Sequence, residues 1–387
     1  MRVLFLTDSL SDLDGVGRYA LRLIAALEEL HGDLHVEVLL ARKHRPTSAA
    51  VPARWKVGVG LPPDYFYYMS PARFWAVSAL TLPGLWRAAR RADLVHAIKD
   101  YPHNWLSLQA ARLAGRPCVA TAHGTYTVQP LLSARHRRRA LATYRGLARM
   151  ISVSRYTKRR LLELLDGRPP GPERIAVIPN AVAAPHYAEP RALGGRPWTG
   201  ARFTLSIGEL KERKGHHLSL GAWCDVAARH PDLQHFVVGK GARDAYQESL
   251  LEMVRAAGLE QRVHFLGNVD EEEKVDLLQR AEVFLHTPVT SADGGFEGFG
   301  IVYLEAAASG TPSIGTTGCG AEDAIADGLT GFLVRQDRTA VAAALERLLG
   351  DPDLRARAGA AGREHARAAT WERNAREVLG LYREVLA

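Results

Sequence analysis

Short, continuous apolar runs alternate with longer stretches of helical period through most of the chain. In the first half the runs are VLFLTD (3–8), HVEVLL (35–40), DLVHA (93–97), CVATAH (118–123), MISVS (150–154) and RIAVIPN (174–180), separated by amphipathic stretches such as RYALRLIAALEEL (18–30). A strand that is apolar on both faces is buried on both, so the pattern predicts a parallel sheet covered by helices above and below. From about 183 to 200 the texture changes to AAPHYAEPRALGGRPWTG, which has neither period and reads as an interdomain linker. The alternation restarts with FTLSIGEL (203–210), QHFVVGKG (234–241), RVHFLGNV (262–269), EVFLHTP (282–288) and TPSIGTT (311–317). Asp270 followed by Glu273 predicts a capping box for EEEKVDLLQRA. The last segment, WERNAREVLGLYREVLA (371–387), is an amphipathic helix with no strand after it. The fold class is therefore α/β: two consecutive doubly wound, Rossmann-like domains, with ligands expected at the carboxyl ends of their strands.

Length agrees with that division, since 387 residues exceed the size at which one core usually stops growing. A hydrophobic content of 47% with 24% charged residues is globular. The net charge of +8, from 50 Lys plus Arg against 42 Asp plus Glu, points to an anionic ligand or surface but is diffuse, and no nucleic-acid partner is expected. Cys118, Cys224 and Cys319 are few and far apart, which argues for a reducing compartment and against a disulfide framework or a cysteine metal site. The opening MRVLFLTDSL has an apolar run of only about five residues, short of a signal peptide's roughly 7–15. FWAVSALTLPGLW (74–86) is shorter than the ~20 residues of a spanning helix and is interrupted by Pro83. The expected location is cytoplasmic, with the cytoplasmic membrane face as the variant to consider.

Three connections carry candidate chemistry. After the first strand, Gly15, Val16, Gly17 and Ala20 match G-x-G-x-x-A, a turn whose amides suit a phosphate. Six residues separate that strand from Gly15, and the second strand ends in Ala41, Arg42 and Lys43 with no ribose-binding acid, so a nicotinamide site is poorly supported. Phosphate approach and a plain helix start both remain open. In SIGELKERKGHH, Lys211, Arg213, Lys214 and Gly215 follow a strand of the second domain, where the switch-point rule places an anionic ligand. Guanidinium and ammonium together can neutralise a diphosphate without a metal; a solvated charge run is the alternative. His123 ends a strand just before Gly124, a position compatible with ligand contact or with a structural role.

The fourth feature is GFEGFGIVYLEAAASG (295–310), with Glu297 and Glu305 in a glycine-rich setting. On one continuous helix the two carboxylates would stand about 12 Å apart along the axis and roughly 80° around it. That exceeds the ~5–9.5 Å of a glycosidase acid/base pair, and no neighbouring sequence supplies metal-binding histidines. Gly298-Phe299-Gly300-Ile301 is instead expected to open the helix and direct amides at an anion. A long ligand with hydroxyls at both ends and charge in the middle fits that arrangement.

Glu297-x7-Glu305, with a preceding strand ending in proline and TPSIGTTGCGAEDAIADGLTGFLV after it, closely resembles the retaining glycosyltransferases of family four, which have the two-domain GT-B fold. GVGRY near the start, AHGTY (122–126), VSRYTKRRL (153–161), VIPNAV (177–182), ERKG (212–215) and HFLGNV (264–269) agree in order, so the similarity spans nearly the whole chain. The resemblance implies an acceptor-binding domain, 1–185, joined by the returning helix 371–387. It implies a nucleotide-sugar-binding domain at 198–370, with chemistry in the cleft between the two. Glu305 would hold the ribose hydroxyls and Glu297 those of the donor sugar. The amides of Phe299, Gly300 and Ile301, with Arg213 and Lys214, would hold the diphosphate. Gly208 and Asn268 would complete the donor site, Gly15 to Gly17 would close over the phosphates, and His123 would sit by the donor sugar. Where family members commonly follow Gly208 with arginine this chain has Glu209, so phosphate binding passes to Arg213 and Lys214. The usual double glycine near the N-terminus is here Asp14-Gly15.

The expected activity is metal-independent, retaining transfer of a hexose-type sugar from a nucleotide-diphosphate sugar, UDP favoured over GDP, with no cofactor. A nicotinamide-dependent oxidoreductase and a non-catalytic nucleotide-sugar-binding protein are the competing readings. For the acceptor, the aromatic DYFYYMSPARFWAVSAL (64–80) and the basic SARHRRRALATYRGLARM (133–150) fit two cases equally. One is a lipid-linked glycan at an anionic membrane, touched peripherally; the other is a small glycoside or cyclitol beside an ordinary solvated helix.

Overall fold

The computed structural model describes residues 1–11, 14–41 and 51–387. Arg42 and Lys43, and Asp12 and Leu13 of the loop before Gly15, lie outside the described residues. The chain divides into two compact units, Met1–Asn180 with Trp371–Ala387, and Ala181–Thr370.

Among the described residues the first unit holds seven parallel strands: β1 (Arg2–Thr7), β2 (His35–Ala41), β3 (Lys56–Leu61), β4 (Leu94–Ala97), β5 (Cys118–Ala122), β6 (Arg149–Ser152) and β7 (Ile175–Val177). Their order is β3-β2-β1-β4-β5-β6-β7. Leu4, Phe5, Val95 and Ala120 are at most 1% exposed, the double-sided burial expected of such runs. The terminal helix Trp371–Leu386 belongs to this unit. Tyr382 reaches His96 of β4, hydroxyl to Nδ1 at 2.6 Å, and the Asn374 amide donates to Pro179 O at 2.6 Å. Strand β3 was not anticipated. KVGVGL lies at the sheet edge, only Leu61 is fully buried, and two of its six residues are glycine, so neither a continuous apolar run nor a clear alternation marks it.

The second unit holds six parallel strands: β8 (Arg202–Ile207), β9 (Leu233–Val238), β10 (Val263–Gly267), β11 (Val283–Leu285), β12 (Ser313–Thr316) and β13 (Gly331–Val334), in the order β10-β9-β8-β11-β12-β13. Strand β13 is again an unanticipated edge, four residues long and mostly half-buried. The capping box forms: the Asp270 side chain accepts from Glu273 N at 2.8 Å and Glu273 returns the bond to Asp270 N.

Residues 183–200 are not a free connection. Ala184–Ala188 is a short helix, and the chain after it runs over the helix Glu271–Arg280. Gln279 holds the Arg191 amide at 2.8 Å, and the buried Asp276 accepts from Trp198 Nε1 at 2.7 Å. Prolines and glycines there remove regular period, but side-chain hydrogen bonds tie the segment to the second unit, which therefore begins at Ala181.

Strand order reverses direction of growth between β1 and β4 in the first sheet and between β8 and β11 in the second. Connections leave these paired strands on opposite sides and open a crevice at their carboxyl ends. Both crevices carry charged side chains.

Candidate active site

In the second unit the loop after β8 and the loop after β11 meet. The one-turn 3₁₀ segment Glu212–Lys214 is fastened to the β11 side by two bonds, Val289 N to Arg213 O at 3.1 Å and the Thr287 hydroxyl to Gly215 O at 3.0 Å. Gly215 makes the approach possible: its φ is 68°, and a Cβ there would fall 1.7 Å from Thr287 O. The helix His216–Ala227 then leads away. Glu297 is held from its own side, its carbonyl accepting Gly320 N at 2.8 Å. The result is an ion pair between Lys214 Nζ and Glu297, with Arg213 Nη1 3.8 Å from the same carboxylate oxygen.

Burial acts to raise the Glu297 pKa, but Lys214, the nearby His286 ring and Arg213 outweigh it and hold the carboxyl well below the ordinary range. Burial lowers the pKa of Lys214, Glu297 opposing it and Arg213 adding to it. Two fixed cations over one carboxylate leave the crevice with a positive excess. Lys211, by contrast, is exposed and pairs with Glu209 at 2.8 Å, a neutral pair whose carboxylate also acts on Arg213 and Lys214.

The helix expected to begin at Gly298 begins at Ile301 and runs to Ser309. Gly300 precedes it in a left-handed conformation, φ 82°, where a Cβ would strike the Tyr303 ring at 2.6 Å. Glu297 and Glu305 therefore do not share a helix, and Phe299 is loop backbone. Glu305, 4% exposed, faces Lys274 Nζ at 3.2 Å; Lys274 also meets Glu271 at 2.9 Å and the Tyr187 hydroxyl at 2.9 Å. Gly208 follows β8, its amide bonded to Val238 O at 2.8 Å, and Asn268 stands exposed after β10.

In the first unit His123 follows β5 and bonds to the Ile98 backbone, while its Nε2 has no hydrogen-bond partner among the described residues. The Tyr19 ring lies edge-on at 4.9 Å from the His123 ring, and burial, then Lys99, brings the His123 pKa down to about 4, the bond to Ile98 opposing. Gly15, Val16 and Gly17 start the helix Gly15–Leu30, whose N-cap is Asp14. The Asp14 carboxylate accepts Gly17 N at 2.6 Å and is itself held by Ser9 Oγ at 2.6 Å. The Gly17 amide is bonded to an acidic side chain, as at a capped helix start. Around the crevice, Lys99 lies between Asp8 and Asp64, and Asp100 is buried behind His123.

With this geometry in view, two family models divide the chain. The model described as Glycosyltransferase Family 4 matches residues 13–184, and that described as Glycosyl transferases group 1 matches 196–365. A phosphatidyl-myo-inositol mannosyltransferase of Mycolicibacterium smegmatis is 31% identical over 310 residues, 78% of this chain and 73% of that protein. The chain belongs to glycosyltransferase family 4. A GDP-mannose-dependent alpha-(1-6)-phosphatidylinositol monomannoside mannosyltransferase of the same organism is 32% identical over 266 residues, 66% of this chain and 67% of that protein. The crystal structure of Anabaena HepE in complex with UDP and glucose superposes with a TM-score of 0.77 at 19% identity, over 99% of this chain and 100% of that one. The fold of this family 4 glycosyltransferase is GT-B, and the nicotinamide reading of G-x-G-x-x-A falls.

Two residues beside the glutamates gave no signal in the sequence. His286 follows β11 and places Nε2 3.5 Å from Glu297, a neighbour that the chain's folding back between residues 286 and 297 supplies. Lys274 sits mid-helix, where a lysine ordinarily faces solvent, and only its 7% exposure marks it. Among the described residues no group of three or more His, Cys, Asp or Glu is placed to hold a metal ion, and no helix is long and apolar enough to cross a membrane.

Proposed function

We propose that this glycosyltransferase moves a hexose from a nucleotide-diphosphate sugar to an acceptor hydroxyl with retention and without a metal. The observation that carries this reading is the Lys214–Arg213–Glu297 cluster at the β8/β11 crevice. Departure of a diphosphate concentrates negative charge, and Arg213 and Lys214, already gathered at the crevice, stabilise it. The amides of Phe299, Gly300 and Ile301 add to that field. Glu297 accepts hydroxyls of the donor sugar and Glu305, with Lys274 beside it, those of the ribose; Gly208 and Asn268 line the nucleotide. The bond from the sugar's anomeric carbon to the diphosphate breaks, a bond to the acceptor oxygen forms on the same face, and the acceptor's proton passes to the departing diphosphate oxygen. His123 serves the acceptor-binding unit. The initial preference for UDP has no side chain behind it, and relatives named as mannosyltransferases, one of them GDP-mannose-dependent, move it to GDP-mannose.

The acceptor we infer is a polyol headed by an anionic lipid. Arg139 covers Phe74 and Trp75 at 4.2 and 4.9 Å, Arg135 binds Met69 O, and Tyr65, Tyr68 and Trp75 are exposed on the adjoining surface. Such an aromatic and arginine-bearing face suits an anionic bilayer. Vesicles containing anionic lipid should pellet the protein at low salt and release it at high salt; equal recovery in the supernatant under both sets the lipid reading aside.

For the donor, a panel of nucleotide sugars assayed for slow hydrolysis should single out GDP-mannose, and the hydrolysis should vanish in Glu297→Ala. If neither GDP nor UDP shifts the melting temperature, the donor assignment fails.

A further inference from the structure

His286 stands where β11 ends, 1% exposed, and its backbone is fixed on both sides. Its amide donates to Ile314 O at 3.1 Å and its carbonyl accepts the Tyr303 hydroxyl at 2.6 Å. The Tyr303 ring, 5.2 Å away, walls the imidazole in, so the ring cannot swing out to solvent. It faces Lys214 and Arg213 from the 3₁₀ segment, Glu297 from the loop before Ile301, and His216 from the next helix, with Tyr303 and Phe284 as walls. His216 is occupied, its Nε2 lying 3.1 and 3.2 Å from the carbonyls of Gly208 and Glu209. Neither ring nitrogen of His286 makes a well-formed hydrogen bond among the described residues, yet Nε2 lies 3.5 Å from Glu297 Oε2. Burial and the two neighbouring cations keep the ring neutral, Glu297 opposing them.

In this arrangement three groups surround one carboxylate: Lys214, Arg213 and His286. A diphosphate, with more negative charge than Glu297, draws the two cations toward itself. A buried carboxylate that loses its cations needs another donor in place. We propose that His286, carrying its proton on Nε2, is a positioning residue that holds the Glu297 carboxylate on the donor sugar once Lys214 and Arg213 turn to the diphosphate. The inference rests on Glu297 accepting the sugar's hydroxyls, as read above. It accounts for an imidazole enclosed beneath the crevice with an N–H position aimed at the one carboxylate there. Closing the 3.5 Å separation to hydrogen-bond length takes a shift of a few tenths of an ångström.

The test compares His286→Leu, His286→Gln and Glu297→Gln with the wild type. In His286→Leu, kcat should fall roughly tenfold to a hundredfold, the loss of one charge-assisted hydrogen bond. The acid limb of kcat should move to higher pH, because Glu297 loses a donor, while the Kd of GDP or UDP stays within about twofold, since the cations that hold the diphosphate remain. His286→Gln, whose amide N–H reaches toward the same oxygen, should recover most of kcat. Unchanged kcat and acid limb in a folded His286→Leu, or parallel losses in kcat and nucleoside-diphosphate affinity, overturn the proposal. Should the leucine variant not fold, the ¹⁵N shifts of the wild-type ring decide: Nε2 must bear the proton with GDP or UDP bound, and an Nδ1–H tautomer overturns it. If Glu297→Gln leaves kcat unchanged, the reading of the site itself fails; if it lowers kcat and His286→Leu does not, only this inference fails.

Discussion

The two crevices have the same topology and opposite charge. In the second unit, at β8/β11, Arg213 and Lys214 converge on the single carboxylate of Glu297. In the first, at β1/β4, Lys99 is shared by Asp8 and Asp64, with the carboxyl of Asp100 buried behind. Burial raises Asp8 to about 6 despite Lys99, and raises Asp100 to about 7 although the Thr127 hydroxyl and the His123 amide bond to it. An excess of cations favours a diphosphate; an excess of carboxyl groups favours hydroxyls and repels phosphate. The crevice is a property of strand order, and what enters it is set by a few side chains on the connecting loops.

The largest expected effect breaks the cationic side of that comparison. Lys214→Met should lower kcat by about 10²–10³, the usual loss on removing one fixed stabiliser of developing charge. Steady-state kinetics with the donor identified by the panel would measure it, and a drop below tenfold would move the leaving-group role elsewhere. The same variant should leave the β1/β4 crevice untouched, so the melting-temperature profile of the first unit against pH is its control.

A smaller effect sharpens the acidic side. The folded pKa of Asp100 stands above the ordinary ~3.9, so the folded state binds this proton more tightly than the unfolded one. Stability from this group is therefore greatest below about pH 4 and declines as the pH rises toward 7. Asp100→Asn removes that decline. Between pH 5 and 8 its unfolding free energy should change by about 2–3 kcal/mol less unfavourably than the wild type's in denaturant titrations. Parallel curves would show that Asp100 is ionised throughout.

The smallest effect concerns the turn at Asp14. Asp14→Ala should cost about 1 kcal/mol through loss of the cap, whereas Asp14→Asn should cost only a few tenths. Both should leave the Kd of GDP or UDP unchanged if Gly15 to Gly17 form only a helix start. Tighter nucleotide binding by Asp14→Asn, in calorimetry, would show that the amides at this turn do meet a phosphate.

Much of the fold was legible because buried parallel strands write themselves as continuous apolar runs, as in VLFLTD and EVFLHTP. Where burial is one-sided the signal fades, and β3 and β13 were missed for that reason. Among site residues, Glu297, Arg213 and Lys214 could be named from glycine context and strand placement, and they do come together. The bond from the Gly17 amide to Asp14 was not legible, because G-x-G-x-x-A describes backbone shape and says nothing of the residue that occupies the cap.

By itself the sequence determined the two α/β repeats, the E-x7-E segment and the family. The repeats depend on period along the chain, which binary pattern expresses directly; the family followed from the resemblance of E-x7-E and the motifs around it. Only the tertiary structure decided that His286 lies beneath Glu297, that Lys274 faces Glu305, that residues 183–200 are bound to the second unit, and that the two crevices carry opposite charge. Those facts, like the pairing of Lys214 with Glu297 across 83 residues, are contacts that side chains make only once helices, strands and loops have packed. Such distances are set by packing, and no periodicity in the chain records them.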